Sequence, residues 1–238
     1  MKKTLLLASA LIVCSQTISA AESAKAPEWK ASAELGYVST TGNTETDTLN
    51  AKASATTERE KWRHKLELTA LNTSDSGDTT AEKYTVMGQS DYLLKAPNYL
   101  FANISHEKDR FSSYEYQTTE NIGYGRRVID EADMKLDLEI GPGARQSKEE
   151  NASSENEATL RAALKLDWDI SKTSKFNEVL TIDSGEDITI TKSVTSLSSQ
   201  IEGNLSMKIT YTYKETSEVA DGFDDTDTET AVTLVYTF

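Results

Sequence analysis

Positive charge is scarce in this chain. Its 238 residues include 25 Lys and Arg against 39 Asp and Glu, a formal net charge of −14. That excludes a nucleic acid as partner, because neutralising phosphates takes a surplus of Lys and Arg. Long apolar runs are missing as well. Mean hydropathy is −0.53, and no segment after residue 20 approaches the roughly 20 apolar residues of a membrane helix. Cysteine is nearly absent: Cys14 is the only one. A lipid anchor on it would want Gly or Ala just before, and Val13 stands there. If Cys14 is removed with a leader, the remaining chain forms no disulfide, and its stability comes from a large core or from a membrane. There are two histidines, which leaves few candidates for acid–base chemistry.

What is present begins with a leader. Met1-Lys2-Lys3 is basic, Thr4 to Val13 is a short apolar core, and Ser19, Ala20 and Ala21 are small. This is the pattern of a secretory signal peptide over 1–20, cleaved after Ala20 or Ala21. A short lead over 21–27 follows, then a single body over 28–238.

In that body apolar and polar residues alternate with a period of two, the signature of half-buried strands. Trp29, Ala31, Ala33, Leu35 and Tyr37 form one face. Leu49 to Ala55, Trp62 to Ala70 and Tyr84 to Leu94 repeat the pattern. Leu100, Ala102 and Ile104 set the fifth face, which Tyr99 and Phe101 blur. Ile122 and Tyr124 follow, then Met134 to Ile140, Ala158 to Trp168 and Phe176 to Ile182, where Glu178 sits awkwardly. The segment from Val194 to Ile201 is the weakest. Leu205 to Tyr213 and Val232 to Phe238 complete twelve.

Short turns (EREK, KAPN, IDEAD, DISKTS, EGN) take turns with connections that are mostly longer and acidic (NTSDSGDTTAE, RQSKEENASSENE, ETSEVADGFDDTDTE). The polar face carries charges of both signs in mid-strand. A soluble sandwich would show charge to water, whereas a membrane barrel turns its apolar face to lipid and its polar face to the lumen. All backbone groups must pair in lipid, so such a sheet closes. The expectation is an all-β antiparallel transmembrane barrel of about twelve strands, both termini in the periplasm. With that orientation Trp29, Trp62 and Trp168 all fall at the periplasmic interface, where indole rings are favoured. A soluble periplasmic β-sandwich is the competing architecture. The final strand ends on Phe238 with Tyr236 two residues before it. Val232, Leu234, Tyr236 and Phe238 resemble the C-terminal signal read by the outer-membrane barrel assembly machinery.

Several stretches resemble one family, the salt-induced outer membrane proteins of YdiY-like type, a domain of unknown function. They are ELGYVSTTGNTETDTL at 34–49, YLFANISHEKDRFSSYEY at 99–116, IGYGRR at 122–127 and EIGPGAR at 139–145. The resemblance implies an outer-membrane barrel linked to salt or envelope stress. It implies no reaction and no catalytic residues.

The candidate site is therefore the lumen face: Arg63, Lys65, Glu67, Asp137, Glu139, Arg161, Lys165, Asp167 and Lys208. Twelve strands lie between a packed small barrel and an open porin. These charges either pair and plug the centre or set the selectivity of a narrow pore. A sharper alternative is a lipid hydrolase of phospholipase or lipid A deacylase type. It would use His106, near Glu107, Asp109, Ser112 and Ser113, but no nucleophile elbow accompanies it. The loop holding Asp221, Asp224, Asp225, Asp227 and Glu229 could meet divalent cations shared with lipopolysaccharide, yet its spacing is not that of an EF-hand. A non-enzymatic monomer without cofactor or metal is expected, with outer-membrane lipids, lipopolysaccharide and the assembly machinery as partners.

Overall fold

The computed structural model describes residues 28–40, 46–112, 114–149, 153–220 and 222–238. The leader and lead expected over 1–27 lie outside these residues. Twelve strands follow one another: β1 Trp29–Thr40, β2 Thr46–Glu58, β3 Trp62–Asp75, β4 Asp78–Leu93, β5 Asn98–Asp109, β6 Tyr114–Asp130, β7 Met134–Glu149, β8 Glu155–Trp168, β9 Ser174–Gly185, β10 Thr189–Glu202, β11 Leu205–Thr216 and β12 Thr226–Thr237. Each pairs antiparallel with its sequence neighbours, and β12 returns to β1, so the sheet is one closed barrel. A single closed sheet removes the two-sheet sandwich from consideration.

Closure also accounts for the apolar C-terminus. Leu35 pairs with Leu234 and Ser32 with Thr237, and the Phe238 N–H donates to the Ala31 carbonyl at 2.9 Å. An end that would be an adhesive edge in an open sheet is here a ladder partner.

Directly opposed residues share a face in an antiparallel pair, so the registers carry each face around the barrel. The outward face is the apolar one. Leu35, Leu66, Leu68, Ile122, Ile140, Ile209 and Leu234 stay about half exposed, whereas Asp91, Asn121, Glu139, Arg145 and Thr233 are buried inside. A water-soluble core has the opposite distribution, and a lipid-facing barrel has this one. Outward aromatics form two girdles. Near the chain termini stand Trp29, Trp168 beside Phe176, Trp62 edge-on to Tyr92 at 5.0 Å, and Tyr236 against Phe238. At the other end stand Tyr37, Tyr84, Tyr211 and Tyr213, with Tyr116 tilted on His106 at 5.6 Å. On β4 the eight steps from Tyr84 to Tyr92 make roughly 26 Å of strand. At a tilt near 40° this is about 20 Å of band, close to a barrel's apolar height.

Two sequence expectations change. The polar stretch NTSDSGDTT is not a loop. It continues β3 and β4 beyond the band, and Asp75 pairs with Asp78 across a two-residue turn. Ser76 and Gly77 both have positive φ, 52° and 88°, which is the twist a tight hairpin demands. Part of RQSKEENASSENE likewise continues β7 and β8. The second change concerns Glu178. It faces outward as its spacing says, and it accepts hydrogen bonds from Ser193 Oγ at 2.7 Å and from Thr195 Oγ1. The outward face of β10 is therefore hydroxyl-rich in front of Glu178, and that is why its alternation is faint in the sequence.

Candidate functional site: the barrel lumen

Tyr99 and Phe101 do not face lipid. They point inward and are 2 % and 3 % exposed, while Leu100 and Ile104 hold the outward face. Glycines on β6 make the room. A Cβ at Gly125 would lie 2.2 Å from the Tyr99 ring, and one at Gly123 would lie 2.7 Å from Phe101. The two rings lie down against the wall of β6 as a consequence.

Over these rings a polar network crosses from β3 and β4 to β7 and β8. Glu139 Oε1 accepts from Tyr99 Oη at 3.0 Å, Gln89 Nε2 at 2.9 Å and Lys165 Nζ at 2.7 Å. Lys165 also donates to Gln89 Oε1 at 2.8 Å. Arg63 Nε donates to Asp91 Oδ2 at 2.7 Å, and its guanidinium lies 4.9 Å over the Tyr99 ring. Its far nitrogen stands 3.4 Å from Asp137, which Arg127 grips through two bonds of 2.8 and 3.0 Å. Arg63 and Asp137 lie four strands apart, so these contacts are chords across the lumen. Each charge taken from water needs several partners to offset its desolvation, and this network supplies them.

Higher on the same side, Arg145 is fully buried. It bonds Glu157 at 2.7 Å and the Ile188 carbonyl at 2.5 Å, and Arg161 pairs with Asp183 at 2.8 Å. Across the lumen two contacts run along the wall instead. Lys208 reaches Glu34 at 3.0 Å and Asn50 reaches Glu229 at 2.8 Å, each spanning two strand spacings. Between them the inward positions are short: Ser196 opposite Thr210 and Val194 opposite Thr212, Ala231 and Thr233 on β12, and Ser32 bonded to Ser54.

The nine residues singled out from the sequence all stand on the inward face. Arg63, Asp137, Glu139, Arg161 and Lys165 belong to the packed side. Lys65 and Lys52 flank Glu67. Lys208 is on the short-residue wall, and Asp167 sits at the terminal rim, accepting from Asn177 at 2.5 Å. The sequence reading missed Gln89, Asp91, Tyr99, Glu107, Arg127, Arg145, Lys192 and Lys214. The alternation within each strand already put Gln89, Asp91 and Arg145 on polar faces, whereas the aromatic start of β5 blurred the parity of Tyr99 and Glu107.

His106 points outward and bonds Thr118 at 2.8 Å, while Glu107 and Asp109 point inward. The grouping expected around His106 is thus divided between two faces of the sheet, and Ser113 lies outside the described residues. Of the acidic loop, Asp224 and Asp227 border a cavity of about 300 Å³ at the mouth, together with Phe111, Tyr114, Lys214 and Phe223. Asp221 lies outside the described residues, and no cluster of three metal-ligating side chains occurs among those described.

A closed twelve-stranded sheet with a lipid-compatible outside and an ion-paired lumen defines a porin-like barrel. Solved structures share that fold. A NanC porin superposes with TM-score 0.54 at 11% identity, over 87% of this chain and 98% of that one. An outer membrane channel from Pseudomonas putida F1 gives 0.50 at 9% identity, over 92% and 100%. The translocator domain of the autotransporter NalP from Neisseria meningitidis gives 0.50 at 11% identity, over 87% and 86%. The chain belongs to the DUF481 family, described as a protein of unknown function, whose profile matches residues 33–238. The uncharacterized protein YdiY of Escherichia coli K12 is 28% identical over 215 residues, 90% of this chain and 84% of its own length.

Proposed function

We propose that this protein spans the outer membrane of a Gram-negative bacterium and passes small solutes or ions through a narrow lumen, without catalysing a reaction. In this reading a signal peptide exports it, both termini lie in the periplasm, and it works as a monomer. Lipids and lipopolysaccharide meet the outward band. The assembly machinery reads Val232, Leu234, Tyr236 and Phe238. The acidic loops face outward, where divalent cations shared with lipopolysaccharide phosphates can bridge them. In the same reading its expression responds to salt or envelope stress.

One observation carries the channel reading: the two sides of the lumen differ in the length of their side chains. Long charged side chains and two aromatic rings occupy the β3–β8 side. Hydroxyls and small residues separate Lys192, Lys208 and Lys214 on the wall from β10 through β12, and the proposed conduit runs along that wall. The hydrolase reading has less support, because the hydrogen-bond partner of His106 is a threonine and the neighbouring carboxylates face the opposite side.

Single-channel recording of the refolded mature chain in a planar bilayer tests this. Discrete, reproducible current steps are expected. A protein that is folded and inserted by its heat-dependent gel shift, yet silent at all voltages, would overturn the proposal.

A further inference from the structure

Toward the mouth, eight residues along β5 from Tyr99, a second group crosses the lumen. Lys192 on β10 and Lys214 on β11 are directly opposed in register. Both face inward. Directly opposed side chains have Cβ atoms about 5 Å apart, and like charges there repel. The carboxylate that separates them comes from far away. Glu107 on β5, six strands from β11, accepts from Lys214 Nζ at 2.9 Å and stands 3.9 Å from Lys192 Nζ. On its own wall it takes only a long bond from Thr85 Oγ1, 3.5 Å, and the neighbouring Lys83 is engaged by Asp109 at 3.0 Å. The Lys192 ammonium makes no hydrogen bond among the described residues. Lys214 also borders the mouth cavity, and Asp227 opposes it on β12.

We infer that Lys192 and Lys214 form a binding site for small carboxylate-bearing solutes, and that Glu107 is a tethered carboxylate occupying it in the resting barrel. The inference rests on the channel reading and deepens it. With Asp227 and Glu229 also close to the two ammoniums, a second carboxylate binds the pair only by taking the place of Glu107. A solute carboxylate entering through the mouth cavity meets Lys214 first. It replaces Glu107, which can fall back toward Thr85 and Lys83 on its own wall. The latch crosses the full width of the barrel, so displacing it also opens the conduit along β10–β12.

The test uses the refolded mature chain, Glu107→Gln and the double variant Lys192→Gln/Lys214→Gln, each checked for the folded gel band. Citrate is the probe, added on the mouth side under a potassium chloride gradient. Glu107→Gln, which removes the competing charge and keeps the shape, should bind citrate about tenfold more tightly and shift the reversal potential toward chloride. The double variant should lose citrate block. Unchanged block and unchanged reversal potential in Glu107→Gln would overturn the inference. Calorimetric titration of citrate into the detergent-solubilised proteins separates the two readings. Binding that Glu107→Gln strengthens, without current in any variant, keeps the anion site and removes the channel. Currents without citrate binding keep the channel and remove the site.

Discussion

The lumen has two walls built on different rules. From β3 to β8, acids and bases reach across to one another and the glycines of β6 let Tyr99 and Phe101 lie flat. From β10 to β12, and on to β1 and β2, the Lys208–Glu34 and Asn50–Glu229 contacts run along the wall, the intervening side chains are short, and only Lys192 and Lys214, near the mouth, reach across among the described residues. Both walls obey the same period-two alternation and the same inward polarity. They differ in side-chain length and in the direction of most ion pairs, and in the channel reading proposed above those two properties decide where a solute passes.

Breaking the packed wall should have the largest effect. Glu139→Ala strands Lys165, Tyr99 and Gln89 together. It should cost about 3 kcal/mol or more, read as a lower denaturant midpoint for loss of the heat-shifted band, with larger and noisier currents. Gly125→Val drives a side chain into Tyr99 and should cost about 1–3 kcal/mol by the same measurement. If Gly125→Val is neutral, Tyr99 does not lie against β6.

The next prediction sharpens the contrast. Thr210→Asp places a charge among short inward side chains, opposite Ser196 and four residues along β11 from Lys214, whose pair with Glu107 crosses the lumen. It should shift the reversal potential toward cations more than Arg161→Gln does, because Arg161 is already neutralised by Asp183. Equal shifts would mean that both walls line the path. At the seam, Phe238→Ala removes an outward ring that packs on Tyr236. It should cost about 1 kcal/mol in vitro but reduce the assembled fraction in outer-membrane extracts more than that figure suggests. The smallest effect is expected at His106, which touches neither wall. His106→Ala should stay within about 0.5 kcal/mol of the parent with unchanged currents. A change in lipid turnover there would revive the hydrolase reading.

Much of the fold was legible. Twelve alternating segments became twelve strands, because lipid on one side and a polar lumen on the other select residues with a period of two. The nine charged positions were placed inward by parity alone. Legibility failed where side-chain chemistry and face disagree. Tyr99 and Phe101 look lipid-facing, yet glycines two strands' worth of sequence later make space for them inside. Ser193 and Thr195 look inward-facing, yet they face out and hold Glu178. Turn lengths were misjudged at 72–80 because polar residues also build strands once those strands leave the apolar band.

The sequence by itself determined the number of strands, the face of the clearly alternating segments and the place of the terminal strand, since all three follow from local alternation and chain order. Only the tertiary structure decided which charges meet. Arg63 finds Asp137 and Lys214 finds Glu107 because barrel closure brings strands four and six places apart within a side chain's reach. That distance depends on curvature and on the volume left by glycines, and neither is written in the period of a strand.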